Sequence, residues 1–379
     1  MLYLDYAAST PIRRKALDIL TKSMEEDFSN PSSAHFAGRA LHKRIESCRD
    51  SFLAFMDAEA HFQFIFTGSA TESNNMIIKG IPLKPGDTAL VSFADHPSVT
   101  QPVLRLKNQG INVEEIRLLP NGLPDEESFR DKPDSTTKLV VLSHVNNQTG
   151  TITDVLRLAE EIKKINKNIH IHVDGAQGFG KIPLSLRNTK IDSMAISSHK
   201  IGGPKGIAGL YLRNKVNILP LLDGGEQENG MRSSTQAAPL IFSFCEAARE
   251  SFDTIKPSLD HVADLSQLTF HTLSEKINTL RFPFMEYASP YIFTFILPGI
   301  SSDIILRHLE QQGILISSTS ACSSRIKGIN PVFTALHIPE KYHKCVLRAS
   351  FSHDTSTSDI ETFCNTLESI YHNVRMYIK

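Results

Sequence analysis

The segment SSHKIGGPKG, Ser197–Gly206, sets Lys200 beside a histidine at the end of the apolar run SMAI, with glycines directly behind it. A neutral lysine amine condenses with an aldehyde to a Schiff base. Upstream, Asp174 closes a second apolar run, IHIHV. A carboxylate there can keep a pyridine nitrogen protonated, so that the ring accepts electrons from a substrate carbanion, the chemistry of pyridoxal 5'-phosphate. Either residue alone also fits a solvated lysine or a capping aspartate.

TGSATESNN, Thr67–Asn75, adds an anion site. A turn of small residues entering a helix presents backbone N–H groups and a positive dipole end to a phosphate, and Thr71 adds a hydroxyl. The same SATE string is a helix-capping box, and both readings can hold together. His96, in ADHPS, follows another apolar run and can stack on an aromatic ring or exchange protons near neutral pH. Cys322 lies in SSTSACSSRIKG, a run of small polar residues that reads as an accessible loop, where a nucleophile has to be. Arg348, in KCVLRASF, offers a fork for a carboxylate.

These residues need elements to position them. Short runs rich in Ile, Val and Phe recur: FQFIF, TALVSF, KLVVLSHV, IHIHV, SMAI and GIAGLYL. Their length and composition predict strands buried on both faces. Helical stretches such as TITDVLRLAEEIKKINK lie between them, with Thr153 or Asp154 as N-cap. The alternation predicts an α/β layer with a mostly parallel sheet. Past about residue 255 a helix, the strands YIFTFIL and KCVLRASF and a closing helix suggest a smaller α+β unit. The Thr67–Thr71 turn, His96, Asn147, Asp174 and Lys200 all follow predicted strands, so their loops converge on one crevice at the carboxyl edge of the sheet.

A chain of 379 residues is long enough for two domains. With 40 basic against 41 acidic residues, no net field favours nucleic acid or an anionic membrane. The cysteines (Cys48, Cys245, Cys322, Cys345 and Cys364) are odd in number and widely spaced, which argues against a disulfide framework or a metal site. All but Cys322 sit in apolar or helical patterns and read as packing residues. Asp5 interrupts the apolar start, no stretch reaches the roughly 20 apolar residues of a membrane span, and the cytoplasm is the expected location.

YLDYAASTP, NPSSAHFAGR, ATESNN, HVNNQTG, HVDGAQGFGK, SHKIGGPKG, GMRSST, SACSS and LRASFS, in this order, resemble the cysteine desulfurases of the NifS/IscS type. These belong to the class V aminotransferase group of fold type I pyridoxal-phosphate enzymes. The resemblance implies a large domain with a mostly parallel seven-stranded sheet and a smaller α+β C-terminal domain. It divides the chain into an N-terminal segment, 1–15, packing with the small domain, a cofactor domain, 16–255, and a small domain, 256–379, with the cysteine loop.

By position, the resemblance implies that Lys200 carries the Schiff base, Asp174 meets the ring nitrogen, Gln177 the phenolic oxygen, and His96 stacks on the ring. Ala70, Thr71, Ser197 and His199 hold the phosphate, and Thr235 reaches that of a neighbouring subunit, which implies a homodimer. Asn147 and Arg348 bind the carboxylate of L-cysteine. Cys322 takes the substrate sulfur as a persulfide, with alanine as product, and passes it to an iron–sulfur scaffold or another sulfur acceptor. The chain departs from the family's pattern where small loops exchange glycine for Ser or Thr, as at Thr319, Ser234 and Ser352, and at Asn229, where arginine is common. The other readings are a selenocysteine lyase or aminotransferase of the same class, and a weakly active sulfur-relay or scaffold-binding homologue.

Overall fold

The structure is a computed structural model and describes residues 1–131, 134–318 and 331–376. The strands in chain order are β1 (Leu2–Tyr3), β2 (Phe62–Thr67), β3 (Thr88–Val91), β4 (Asn112–Glu115), β5 (Thr137–Ser143) and β6 (His170–Asp174). They continue with β7 (Ser193–Ser197), β8 (Ala208–Arg213), β9 (Ile292–Ile296), β10 (Ile314–Leu315), β11 (Ser317–Ser318) and β12 (Val346–Ser350). The helices are α1 (Arg14–Glu26), α2 (Phe36–Phe55), α3 (Ala70–Gly80), α4 (Pro97–Leu106), α5 (Glu127–Asp131) and α6 (Val155–Ile165). Then come α7 (Ala238–Asp253), α8 (Ile255–Lys276), α9 (Ser302–Gln311), α10 (Pro331–Ala335) and α11 (Thr357–Arg375).

A seven-stranded sheet in the order β2-β8-β7-β6-β5-β3-β4 forms the centre of the large unit. All strands run parallel except β8, which lies antiparallel between β2 and β7. The local reason is in the connection: no crossover helix separates β7 from β8, so the chain folds straight back. That fold-back carries SSHKIGGPKG and leaves Lys200 at the carboxyl end of β7. Gly202 in it has φ +83°, and Arg13 Cγ stands 2.5 Å from where a Cβ would lie, so only glycine fits.

The sheet is covered on both faces. On one side, Phe52, Phe64, Phe179 and Phe244 meet in a buried cluster, with Phe52 and Phe64 stacked at 4.4 Å. Burying a phenylalanine of this kind stabilises the fold by about 1.5–3 kcal/mol. Gly209 on β8 makes room for Phe64, whose Cζ lies 2.0 Å from the site of a Cβ. The other side buries Ile78, Val99 and Val103 on α3 and α4 against Ala89, Val91 and Val141 of the sheet.

The helices begin where their sequences cap them. Asp154 accepts from the Arg157 N–H at 3.1 Å and opens α6, which buries Val155, Leu158, Ala159 and Ile162 on one face. Ser69 accepts from Glu72 N–H at 3.1 Å and opens α3. The Glu72 carboxylate reaches back to Gly68 N–H at 2.9 Å, one residue before the position a capping box uses.

In the smaller unit β12 pairs antiparallel with β9 and β11, and α8, α9 and α11 cover a core that includes Phe293, Phe295, Phe363 and Leu367. The chain's first residues join it. Leu2 pairs with Ile314 in a parallel ladder, and Asp5 bridges to Ser350. Residues 10–13 then turn to the large unit: Thr10 Oγ1 donates to His199 O at 2.9 Å, and Arg13 N–H to Gly202 O at 2.8 Å.

Candidate active site

The carboxyl ends of β3, β6 and β7 bring His96, Asp174 and Lys200 together, as their order along the chain predicts. Asp174 ends β6 almost fully buried. Its Oδ1 accepts from Ala176 N–H at 3.1 Å and its Oδ2 from Asn74 Nδ2 at 3.0 Å. Asn74 belongs to a buried chain of hydrogen bonds. Its Oδ1 meets His172 Nε2 at 2.9 Å, and His172 Nδ1 meets Ser193 Oγ at 2.8 Å. Burial pushes the His172 pKa down to about 3, so the ring is neutral and the chain holds Asp174 without adding charge.

His96 is the N-cap of α4. Its Nδ1 accepts from Ser98 N–H at 3.1 Å, so the neutral ring carries its proton on Nε2. Desolvation in the crevice lowers its pKa, Asp174 opposes that, and the charge of Lys200 adds to it. Beside them Asp95 is buried and its carboxyl pushed up to about 7 by burial, with the negative charge of Asp174 working the same way against a hydrogen bond from Ser143.

Lys200 sits in the one-turn 3-10 helix Ser198–Lys200. Its Nζ donates to Ala7 O at 2.5 Å and to Ala8 O at 2.8 Å, so the N-terminal segment fixes where the amine stands. Gln177, also buried, donates from Nε2 to the same Ala7 O at 2.8 Å. Its Oε1 is buried with no partner among the described residues.

Ala70 and Thr71 are the first residues of α3, whose opening N–H groups have no intrahelical acceptor. Ser197 is buried at the end of β7. His199 follows it, its pKa lowered to about 4 by burial and then by Lys200, Lys205 and Lys181. The Glu72 carboxylate also meets Arg232 Nε at 2.8 Å, which ties this turn to GMRSST.

Thr235 is exposed on a turn in which Glu228, Asn229 and Ser234 have φ of +50°, +56° and +128°. Buried Glu228 holds that turn through Arg49 Nη1 at 2.7 Å and Phe66 N–H at 3.0 Å. Ser234 and Asn229 are two of the departures noted in the sequence; Thr319 lies outside the described residues.

Arg348 lies in the middle of β12 and is buried. Nη1 donates to Asn147 O at 2.6 Å and Nη2 to Asp5 Oδ1 at 3.0 Å, while buried Nε has no partner among the described residues. Asn147 is therefore joined to Arg348 through its backbone. Its neighbour Asn146 shapes the turn, accepting from Gln148 and Thr149 N–H groups and donating to Ala94 O. Cys322 lies outside the described residues. Cys245, Cys345 and Cys364 are buried and Cys48 is half-buried, in keeping with packing roles.

Sequence reasoning missed Asn74, His172 and Asp5. Asn74 is legible in retrospect, being one helical turn beyond Ala70 in the same motif. His172 alternates with buried Ile171 and Val173 and carries no signal of its own.

A carboxylate at a strand end, a buried amide oxygen without a partner among the described residues, open N–H groups at a helix start and a lysine fit a phosphorylated pyridine aldehyde. Residues 2–363 match the family described as Aminotransferase class-V, and the chain belongs to it. It is 30% identical to the cysteine desulfurase IscS of Dictyoglomus turgidum, over 99% of this chain and 95% of that one. It is 32% identical to the IscS of Rickettsia bellii, over 95% and 88%. A solved structure described as a NifS-like protein superposes with a TM-score of 0.90 at 26% identity, covering 98% of this chain and 99% of that one.

Proposed function

We propose that this chain is a pyridoxal-phosphate-dependent cysteine desulfurase that converts L-cysteine to L-alanine and leaves the sulfur on Cys322 as a persulfide. The observation that carries the reading is the meeting of Lys200, Asp174 and His96 in one crevice, in a chain that aligns along its length with curated cysteine desulfurases.

The cofactor would be held by Lys200, by Asp174 at the ring nitrogen, by Gln177 at the phenolic oxygen and by His96 against the ring. Ala70, Thr71, Ser197 and His199 take its phosphate. When bound, the cofactor supplies an electron-accepting ring that acidifies the substrate Cα–H. The remaining steps belong to the protein. Asn147 and Arg348 bind the substrate carboxylate through the Nε edge that Arg348 leaves open. The Lys200 amine, held at Ala7 O and Ala8 O, takes the Cα proton. The Cys322 thiolate attacks the substrate sulfur, an S–S bond forms as the C–S bond breaks, and the carbon fragment gains a proton and leaves as alanine. His96 exchanges the thiol proton at Nε2.

The reading includes a homodimer in which Thr235 reaches the neighbouring subunit's phosphate. Phe28 and Phe36, 86% and 80% exposed, favour it, and residues 31–34 line the same groove as Glu226, Gln227 and Asn229 next to the Thr235 turn. It keeps the division at 1–15, 16–255 and 256–379, favoured by the β1–β10 pairing and the separate cores. It places the protein in the cytoplasm, with an iron–sulfur scaffold or another thiol carrier as acceptor. No helix among the described residues is long and apolar enough to cross a membrane.

The test is alanine formation from L-cysteine by the cofactor-loaded protein with a thiol reductant, beside Lys200→Ala and Cys322→Ala. Alanine lost in both variants supports the route. Alanine that survives Cys322→Ala removes that cysteine from the mechanism. A Schiff-base absorbance without alanine moves the reading to a selenocysteine lyase, an aminotransferase or a sulfur-relay homologue.

A further inference from the structure

Lys181 is a buried lysine outside the candidate active site. It follows Gly180 in the connection from β6 to β7 and is only 9% exposed. Its Nζ lies over the Tyr291 ring, 5.6 Å from the centroid. Among the described residues it has neither a hydrogen bond nor a carboxylate at ion-pair distance. A buried charge in that condition is costly unless something pairs with it.

The amine lines a cavity of about 80 Å³ behind Lys200, also walled by Tyr6, Thr10, Arg13 and Tyr291. Arg13 donates Nε to Ile201 O at 2.9 Å and Nη2 to Ser251 Oγ at 3.0 Å, and no carboxylate of the described residues lies at ion-pair distance from it. The one carboxylate on the wall, Asp354, is 73% exposed and turned to His353 at 3.4 Å. Lys181 and Arg13 thus both border the cavity, and neither has a carboxylate at ion-pair distance among the described residues.

The cavity is distinct from the phosphate cradle. Ala70 and Thr71 do not line it, and Lys200 is its only wall residue among those assigned to the cofactor. Burial pushes the Lys181 pKa down to about 7, with Lys200 and then Arg13 adding, so an anion that enters would also restore the proton on Lys181.

We infer that this cavity binds one small tetrahedral oxyanion, with Lys181 as its principal ligand and Arg13 as a second charge. The space is large enough for such an ion, since a single water needs only about 10–15 Å³ on the same measure. The ion sits next to Lys200 and so acts on the charge beside the catalytic crevice.

The test is calorimetric titration of the full-length, cofactor-loaded protein with sodium sulfate at constant ionic strength, which leaves the phosphate cradle filled. The expected result is saturable binding of one sulfate per chain with a dissociation constant on the order of 1 mM. Lys181→Met keeps the side chain's length and removes the charge, and should weaken binding at least about tenfold with the cofactor absorbance unchanged. Sulfate should raise the unfolding temperature of the parent protein and not that of Lys181→Met. Lys181→Arg should still bind, which keeps the test open if the methionine variant folds poorly. No saturable heat in the parent, undiminished binding in Lys181→Met, or no binding in a folded Lys181→Arg would each overturn the inference.

Discussion

Arg348 and Asp5 lie 343 positions apart in sequence and share an ion pair, Nη2 to Oδ1 at 3.0 Å. The pair joins the N-terminal segment to the middle of β12 and balances a buried guanidinium. It also sets a carboxylate beside the group assigned to bind one. Asp5→Asn keeps an acceptor for Nη2 and removes the competing charge. It should lower KM for L-cysteine by at least roughly tenfold, because like charges a few ångströms apart in a partly buried site repel by about 1–4 kcal/mol. Steady-state kinetics checks this, and a raised KM would show instead that Asp5 is needed to aim Arg348. Arg348→Lys, which loses the fork, should raise KM.

Asn74 joins Asp174 to His172, and Asn74→Ala removes both hydrogen bonds while leaving the charge of Asp174 in place. The loss of a buried partner should cost about 1–3 kcal/mol of stability. Looser placement of the carboxylate should also weaken cofactor binding. Urea unfolding reads the first effect and equilibrium dialysis of the cofactor the second. A variant with parent affinity would make Asn74 a packing residue only.

Ser234 holds φ at +128°, in a region that glycine occupies without penalty. Ser234→Gly should therefore stabilise the protein by about 1–2 kcal/mol, read as a higher urea midpoint. The surrounding turn is fixed by the buried Arg49–Glu228 pair, so the backbone should not move when the side chain is removed. An unchanged or lower midpoint would show that the serine makes a compensating contact.

Acid should unfold the protein through its histidines. Burial pushes His144 down to about 4, and His170 and His172 to about 3, from an ordinary value of 6.5. Above pH 6.5 neither state holds these protons. As pH falls below 6.5 the unfolded chain binds protons that the folded chain refuses, so stability drops by about 1.4 kcal/mol per pH unit for each histidine until the folded values are reached. Urea midpoints at pH 7 and pH 5 measure this. Equal midpoints would mean that the three rings take up protons in the folded state.

The α/β architecture was legible because its strands are apolar on both faces and its helices carry their own caps, as Asp154 and Ser69 do. The edge strand β4 was not, because Asn112–Glu115 reads NVEE and has one pairing neighbour, leaving it free of the apolar signal that buried strands carry. In the site, Lys200, Asp174 and His96 follow strands and were found by that position. Asp5 and Asn74 act through partners far away in sequence, which no local pattern encodes. The pairing of Arg348 with Asp5 needed the folded chain to be seen.

The ladder from Leu2 to Ile314 fixes an order of events during synthesis. Leu2 and Tyr3 wait for a partner made more than 300 residues later, so this contact forms late in folding. Until β10 and β12 exist, Ala7 and Ala8 lack the anchoring that the Leu2–Ile314 ladder and the Asp5–Ser350 bridge give the segment. A nascent chain stalled before residue 314 would then carry a complete sheet and an amine at Lys200 without its two carbonyl partners. Proteolysis of stalled chains should cut first within residues 1–12, and protection there should appear only once β10 and β12 have been made.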